Sequence, residues 1–144
     1  MGNIFSSTDI RGHVGETFTT EYVWNVGKAL AEWLPEEGVI VIVKAESANA
    51  STVHALVEGL LLQGRTVIDG GNGDKQSVMA AISDQQAAGG AYVDYNQVQN
   101  LAVITLFDAQ GVIVTDASGL TEIGQLVDAA NFVPAPDKGE LKSL

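Results

Sequence analysis

Catalysis needs nucleophiles, acids, bases or metal ligands at spacings a fold can bring together, and this sequence offers few. Cysteine is absent from all 144 residues, which removes disulfides, thiol catalysis and cysteine–zinc sites. The two histidines, His13 and His54, lie far apart in different kinds of segment. They belong to no spaced ligand set, so no metal site is expected. No Gly-x-Ser-x-Gly elbow marks a serine hydrolase, and the pair Glu36-Glu37 reads as solvated loop charge. Gly70-Gly71-Asn72-Gly73-Asp74 could offer backbone N–H groups to an anion. However, Gln76 stands where the third glycine of a dinucleotide fingerprint belongs, and Asp74 would compete with a phosphate for the same donors. A tight turn with an Asp74 cap is expected there. The polar stretch Asp94 to Asn100 follows a strand-like run, in the position of a chemical loop, yet carries no hydroxyl nucleophile of the serine kind.

The elements that would position these loops are readable. Thr19 or Thr20 caps a helix with Glu21 in its first turn, and Val23, Val26, Leu30, Trp33 and Leu34 recur at helical spacing up to Pro35. Gly38 then opens Val39 to Val43, a β-branched run suited to a strand buried on both faces. Val53, Leu56, Val57, Leu60 and Leu61 mark a second helix, stopped by Gly64. Thr66-Val67-Ile68 makes a strand, and Val78, Ala81 and Ile82 a third helix. Ala91-Tyr92-Val93 and Leu101 to Phe107 are strand-like, and the turn Asp108 to Gly111 leads into Val112 to Val114 as a late hairpin. Leu120, Ile123, Leu126 and Val127 form a last helix. Strand and helix alternate, so the expected fold is a single α/β domain over residues 1–133, a mostly parallel sheet covered by helices. Residues 134–144 read as a loose tail. Ligands in such sheets bind beyond the carboxyl ends of strands, which singles out the loops starting near Lys44, Asp69 and Asp94.

Composition narrows the partners. Hydrophobic residues make up 46% of the chain, enough for a core. Seven basic against eighteen acidic residues give a net charge of −11, which argues against nucleic acid. A small phosphorylated ligand survives that argument, because screening leaves local charge to decide. No apolar run spans a bilayer and no signal-peptide pattern opens the chain, so a cytoplasmic location without membrane contact is expected. Met1-Gly2-Asn3-Ile4-Phe5-Ser6 fits an N-myristoylation pattern, but no polybasic cluster supports it and lipidation at Gly2 is not expected. Asn49-Ala50-Ser51 is a formal glycosylation sequon with no other sign of secretion.

The opening Phe5-Ser6-Ser7-Thr8-Asp9-Ile10-Arg11-Gly12, followed by Val14-Gly15-Glu16-Thr17 and a Thr-capped helix, resembles the start of the α-D-phosphohexomutases. These are the phosphomannomutases and phosphoglucomutases. The likeness continues through Val57-Glu58-Gly59-Leu60 with Gly64 and through Gly89-Gly90 into the final helix, covering about residues 4–130. It implies the first of that family's four domains, standing alone. In the family, the strand after the Gly-Gly position leads to a Thr-Ala-Ser-His-Asn-Pro loop, whose serine carries the transferred phosphoryl group among cationic side chains.

Here the matching stretch reads Val93-Asp94-Tyr95-Asn96-Gln97-Val98-Gln99-Asn100. Asn96 stands at the serine position and Gln97 at the histidine position, and an amide cannot carry a phosphoryl group. The family's Asp and Arg loop after its first strand reads Lys44-Ala45-Glu46-Ser47-Ala48-Asn49-Ala50, without arginine. The family's magnesium motif belongs to its second domain. The resemblance therefore implies a domain without mutase activity, a pseudoenzyme needing no cofactor and no metal. Its expected partners are a second copy or another protein. A weak sugar-phosphate site or a subunit role in a split mutase is the alternative. Residual ligand contacts would come from Arg11, Asp9, Asn96 and Lys44; the simpler reading of Arg11 is an ion pair with Asp9.

Overall fold

The computed structural model describes residues 8–143. The lipidation pattern at Gly2 and the Phe5-Ser6-Ser7 part of the opening lie outside the described residues. Strand β1 (Ile10–His13) leads to helix α1 (Thr20–Trp33), whose N-cap Thr19 accepts a hydrogen bond from the Tyr22 amide. Proline at 35 disfavours helical geometry at Leu34, and the helix stops there in extended backbone. Strand β2 (Ile40–Lys44) is buried on both faces through Val43. Helix α2 (Ala50–Leu62) starts on Asn49, which accepts from the Ser51 and Thr52 amides. Strand β3 (Val67–Asn72), helix α3 (Lys75–Gln85), strands β4 (Gly89–Asn96) and β5 (Leu101–Phe107), helix α4 (Leu120–Ala129) and strand β6 (Leu141–Ser143) complete the chain.

The sheet order is β1-β5-β4-β2-β3-β6. β4, β2, β3 and β6 run parallel, while β5 is antiparallel to both β4 and β1. The fold is thus the expected α/β domain, with a mixed six-stranded sheet. The antiparallel turn-back is made chiefly by β4 and β5. The turn at Asp108 is present, its carboxylate accepting from the Gln110 and Val112 amides, and the strand-like Val112 to Val114 adds a bridge between Phe107 and Ile113.

Two apolar layers sandwich the sheet. Ile10, Ile40, Ile42, Val93 and Ile104 face α1, α2 and α4, whereas Val41, Val43, Ile68, Tyr92 and Phe107 face α3. Helices α1 and α2 cross at Gly27 and Gly59, where a Cβ on either residue would overlap the backbone of the other helix. Arg65 ties this layer together from a buried position. Its guanidinium donates to the carbonyls of Ala31 (2.7 Å), Pro35 (2.6 Å) and Gly38 (3.4 Å). Burial pushes its pKa down, partly opposed by Glu36.

Residues 134–143 depart from the loose tail expected of them. Gly139 donates its amide to the Leu61 carbonyl and packs on the Arg65 backbone; Lys138 pairs with Glu58 at 2.7 Å; β6 adds to β3. The unpaired edge of β3 supplies a hydrogen-bonding template that composition alone does not reveal.

Candidate functional site

The Asp-Ile-Arg-Gly motif becomes β1, and alternation along the strand assigns its side chains. Ile10 enters the core. Arg11 faces out, donating to both Asp9 oxygens from Nε (2.9 Å) and Nη2 (2.7 Å). That fork raises the Arg11 pKa, through the hydrogen bonds first and the charge of Asp9 second. Gly12 lies against the Phe18 ring, where a Cβ would sit 2.5 Å from Phe18 Cδ1. Gly15 takes a left-handed φ of 85°, and Thr17 Oγ1 accepts from the His13 amide at 3.1 Å. These residues shape the turn from β1 into α1.

The stretch Asp94 to Asn100, expected as a loop, is the end of a hairpin. β4 continues through Asp94, Tyr95 and Asn96, paired with Val103, Ala102 and Leu101 of β5, so the turn proper is residues 97–100. Asn96 Oδ1 accepts the Gln99 amide at 3.2 Å, closing that turn. Asn100 sits at φ 53°, a left-handed conformation asparagine tolerates better than most residues. Its Oδ1 accepts from the Tyr95 hydroxyl at 2.6 Å and its Nδ2 donates to the Val14 carbonyl at 2.9 Å. The Val14 amide in turn donates to the Asn100 carbonyl at 3.1 Å, and His13 Nδ1 lies 3.0 Å from the Gln99 carbonyl. The hairpin end is thereby bolted to the β1–α1 turn. Ser47 Oγ donates to the Tyr95 carbonyl at 3.2 Å, adding a tie from the loop after β2. At the tip, Val98 is 97% exposed.

The register also sorts the expected site residues. Arg11 pairs with Val103 and Val103 with Asp94; His13 pairs with Leu101 and Leu101 with Asn96. Arg11, Asp94, His13 and Asn96 therefore share one face of the sheet, with Asp9 beside Arg11. Gln97 begins the turn and is exposed. Lys44 does not join them. It pairs with Val93 and follows Ile40 and Ile42 on the opposite face, where it lines a cleft with His54 and Asp69. On the first face, Tyr92 donates to the Gly73 carbonyl, and its pKa is raised by burial first and by Asp94 and Asp74 next. Among the described residues, no three His, Asp or Glu side chains group as metal ligands.

The glycine-rich segment has its donors engaged. β3 runs on to Asn72, the Gly71 amide donates to Asp69 Oδ1, and Asp74 caps α3 in a reciprocal pair with Ser77. Those hydrogen bonds from Ser77 hold the Asp74 carboxyl below its usual range. Tyr95, Asn100, His13 and Ser47, the residues that fasten the hairpin, were not anticipated. An asparagine ending a polar turn is a left-handed signal, but its partners lie far away in sequence.

An α/β/α layer order, a mixed sheet with an antiparallel edge and a β1 motif closing on the β4–β5 hairpin define the class of protein. The model of the phosphoglucomutase/phosphomannomutase alpha/beta/alpha domain I matches residues 2–133. A phosphoglucosamine mutase of Prochlorococcus marinus is 32% identical over 124 residues, covering 83% of this chain and 26% of its own length. A phosphomannomutase of Salmonella montevideo is 25% identical over 146 residues, covering 95% and 31%. A solved phosphoglucomutase/phosphomannomutase family protein from Burkholderia thailandensis shares the fold at a TM-score of 0.75, with 18% identity over 98% of this chain and 32% of that one. The chain belongs to the phosphoglucomutase/phosphomannomutase family, as its domain I. It spans roughly 30% of the length of the first curated relatives it matches, 29% and 32%. Among the described residues no helix is long and apolar enough to cross a membrane.

Proposed function

We propose that this domain is catalytically silent and serves as a protein-interaction or self-associating module. The observation that carries the reading is the hairpin end. Where the resemblance puts a phosphoserine loop, β4 runs on to Asn96, and the Asn96 amide is used to close a turn. The neighbouring hydroxyls are engaged, Tyr95 on Asn100 and Ser47 on the Tyr95 carbonyl. Of the two basic residues that the register sets on this face close to the hairpin, Arg11 is held by Asp9 and His13 lies against the Gln99 carbonyl. Phosphoryl transfer requires a free oxygen nucleophile and uncommitted cations around it. What the hairpin offers instead is a braced tip that carries the aliphatic Val98 side chain into water, where a partner could cover it.

Asn96→Ser tests the first half: no interconversion of glucose 1-phosphate or mannose 1-phosphate should appear, and robust activity from that one change would sink the claim. Light scattering tests the second half. Association that Val98→Asp abolishes supports it, and a monomer at every concentration counts against self-association. A sugar-phosphate binder or a subunit of a split mutase is the second reading. It is favoured by the Asp9–Arg11 fork remaining on the same face as Asn96. Chemical-shift changes at Arg11 on adding either hexose phosphate would support it.

A further inference from the structure

A cleft of about 330 Å³ opens on the α2 side of the sheet, where the carboxyl ends of β2 and β3 meet α2 and β6. Its apolar wall includes Val53 and Val57 of α2 and Leu141 of β6, and three ionisable side chains line it: Lys44, His54 and Asp69. Alternation puts Lys44 there, two residues after Ile42, and Asp69 likewise, two residues after the buried Val67.

The charges in this cleft are left open. Lys44 is half-buried, and its side chain makes no hydrogen bond or ion pair among the described residues. Carboxylates are plentiful in a chain of net charge −11, yet among the described residues Lys44 shares its lack of an ion pair with the exposed Lys75 and with Lys28, whose Nζ lies 5.9 Å from the Trp24 ring. Arg11 has Asp9, Lys138 has Glu58, Lys142 lies near Glu140, and Arg65 has three carbonyls. Asp69 spends one oxygen on the Gly71 amide and lines the same cleft without closing on Lys44. A register shift separates the two: Ile42 pairs with Asp69, but Lys44 pairs with Asn72. A cation and a carboxylate held apart beside apolar surface match a ligand that carries both charges itself. A simple anion would meet Asp69, and a simple cation would meet Lys44, as a like charge.

We propose that this cleft binds a small zwitterion with an apolar body, of the aliphatic α-amino acid class. The ligand's carboxylate lies on Lys44 with His54 at the rim, its ammonium on Asp69, and its side chain against Val53, Val57 and Leu141. The site is on the opposite face from the hairpin and stands independently of the reading given to it. Leu141 is 53% exposed, so a bound side chain covers it and fastens β6 to the sheet.

The test is an amide-resolved NMR titration of the full chain with L-leucine, 4-methylpentanoate, which lacks the ammonium, and isoamylamine, which lacks the carboxylate. Leucine should shift the Lys44, His54, Asp69 and Leu141 amides with a Kd of about 1 mM, as befits a ligand of so few atoms. Each truncated analogue should bind about tenfold more weakly or worse, because it leaves one charge unpaired. Lys44→Gln and Asp69→Asn should each cost leucine a similar factor. Lys44→Gln should leave the thermal melt unchanged, since that side chain holds nothing else. No perturbation by leucine at about ten times that Kd overturns the proposal. So does a carboxylate that binds as tightly as leucine, and so does undiminished binding to Lys44→Gln.

Discussion

Replacing Asn100 with alanine removes the bolt between the hairpin and the β1–α1 turn. Two part-buried side-chain hydrogen bonds go: the one from the Tyr95 hydroxyl at 2.6 Å and the one to the Val14 carbonyl at 2.9 Å. Each contributes about 1 kcal/mol net, and the left-handed φ of 53° costs alanine about 1 kcal/mol more. The expected loss is therefore about 3 kcal/mol, or about 10 °C in Tm for a domain of this size. Asn100→Gly separates the two causes, because glycine accepts the backbone angle and should lose only about 2 kcal/mol. Tyr95→Phe deletes one of the hydrogen bonds and should lose about 1 kcal/mol. Urea denaturation of the three variants reads the series directly. If Asn100→Ala falls within about 0.5 kcal/mol of the parent, the hairpin is not braced as described, and the case for a structural role of this segment fails.

Arg65→Met should destabilise by about 3 kcal/mol or more in urea, because the carbonyls of Ala31 in α1 and of Pro35 and Gly38 in the connection to β2 lose a buried charged donor. Gly59→Ala should cost about 2 kcal/mol by the same measurement, since the added methyl forces α2 away from the Trp24 backbone of α1. Asp74→Ala deletes the α3 cap, and its effect should depend on pH. The folded-state pKa of Asp74 is depressed, so its contribution is present above the ordinary aspartate value of 3.8 and lost as pH falls through the lower folded value. The Tm difference between parent and variant should be constant near neutrality and shrink below that value. A gap that persists unchanged into acid would contradict the assignment.

The parts of the fold that were legible in the sequence are those whose signals are local. Thr19 and Pro35 bracket α1, and the Val39 to Val43 run has no polar face, which suits a strand between two helical layers. Asp74 reads as a cap because its partner Ser77 is one turn away. The hairpin end was harder. Asp94 and Asn96 are poor strand formers and suggest a loop, yet they alternate outward from a β4 held by β5 on one side and β2 on the other. Strand β1 contains Gly12 and depends on pairing with β5 far along the chain, and β6 is exposed along its length, so neither has a local pattern to find. For the site, Arg11 beside Asp9 was readable from their spacing. That Lys44 turns away from Arg11 follows from sheet register, which requires knowing which strands are neighbours.

Intact-mass and phosphorus NMR measurement of the purified chain, after incubation with a hexose 1,6-bisphosphate, addresses catalytic silence most directly. An unmodified mass and no phosphate ester signal are expected, with no conversion of glucose 1-phosphate or mannose 1-phosphate in the same sample. A stoichiometric phosphoryl group on any residue of the hairpin or of the Lys44 to Ala50 loop would contradict it.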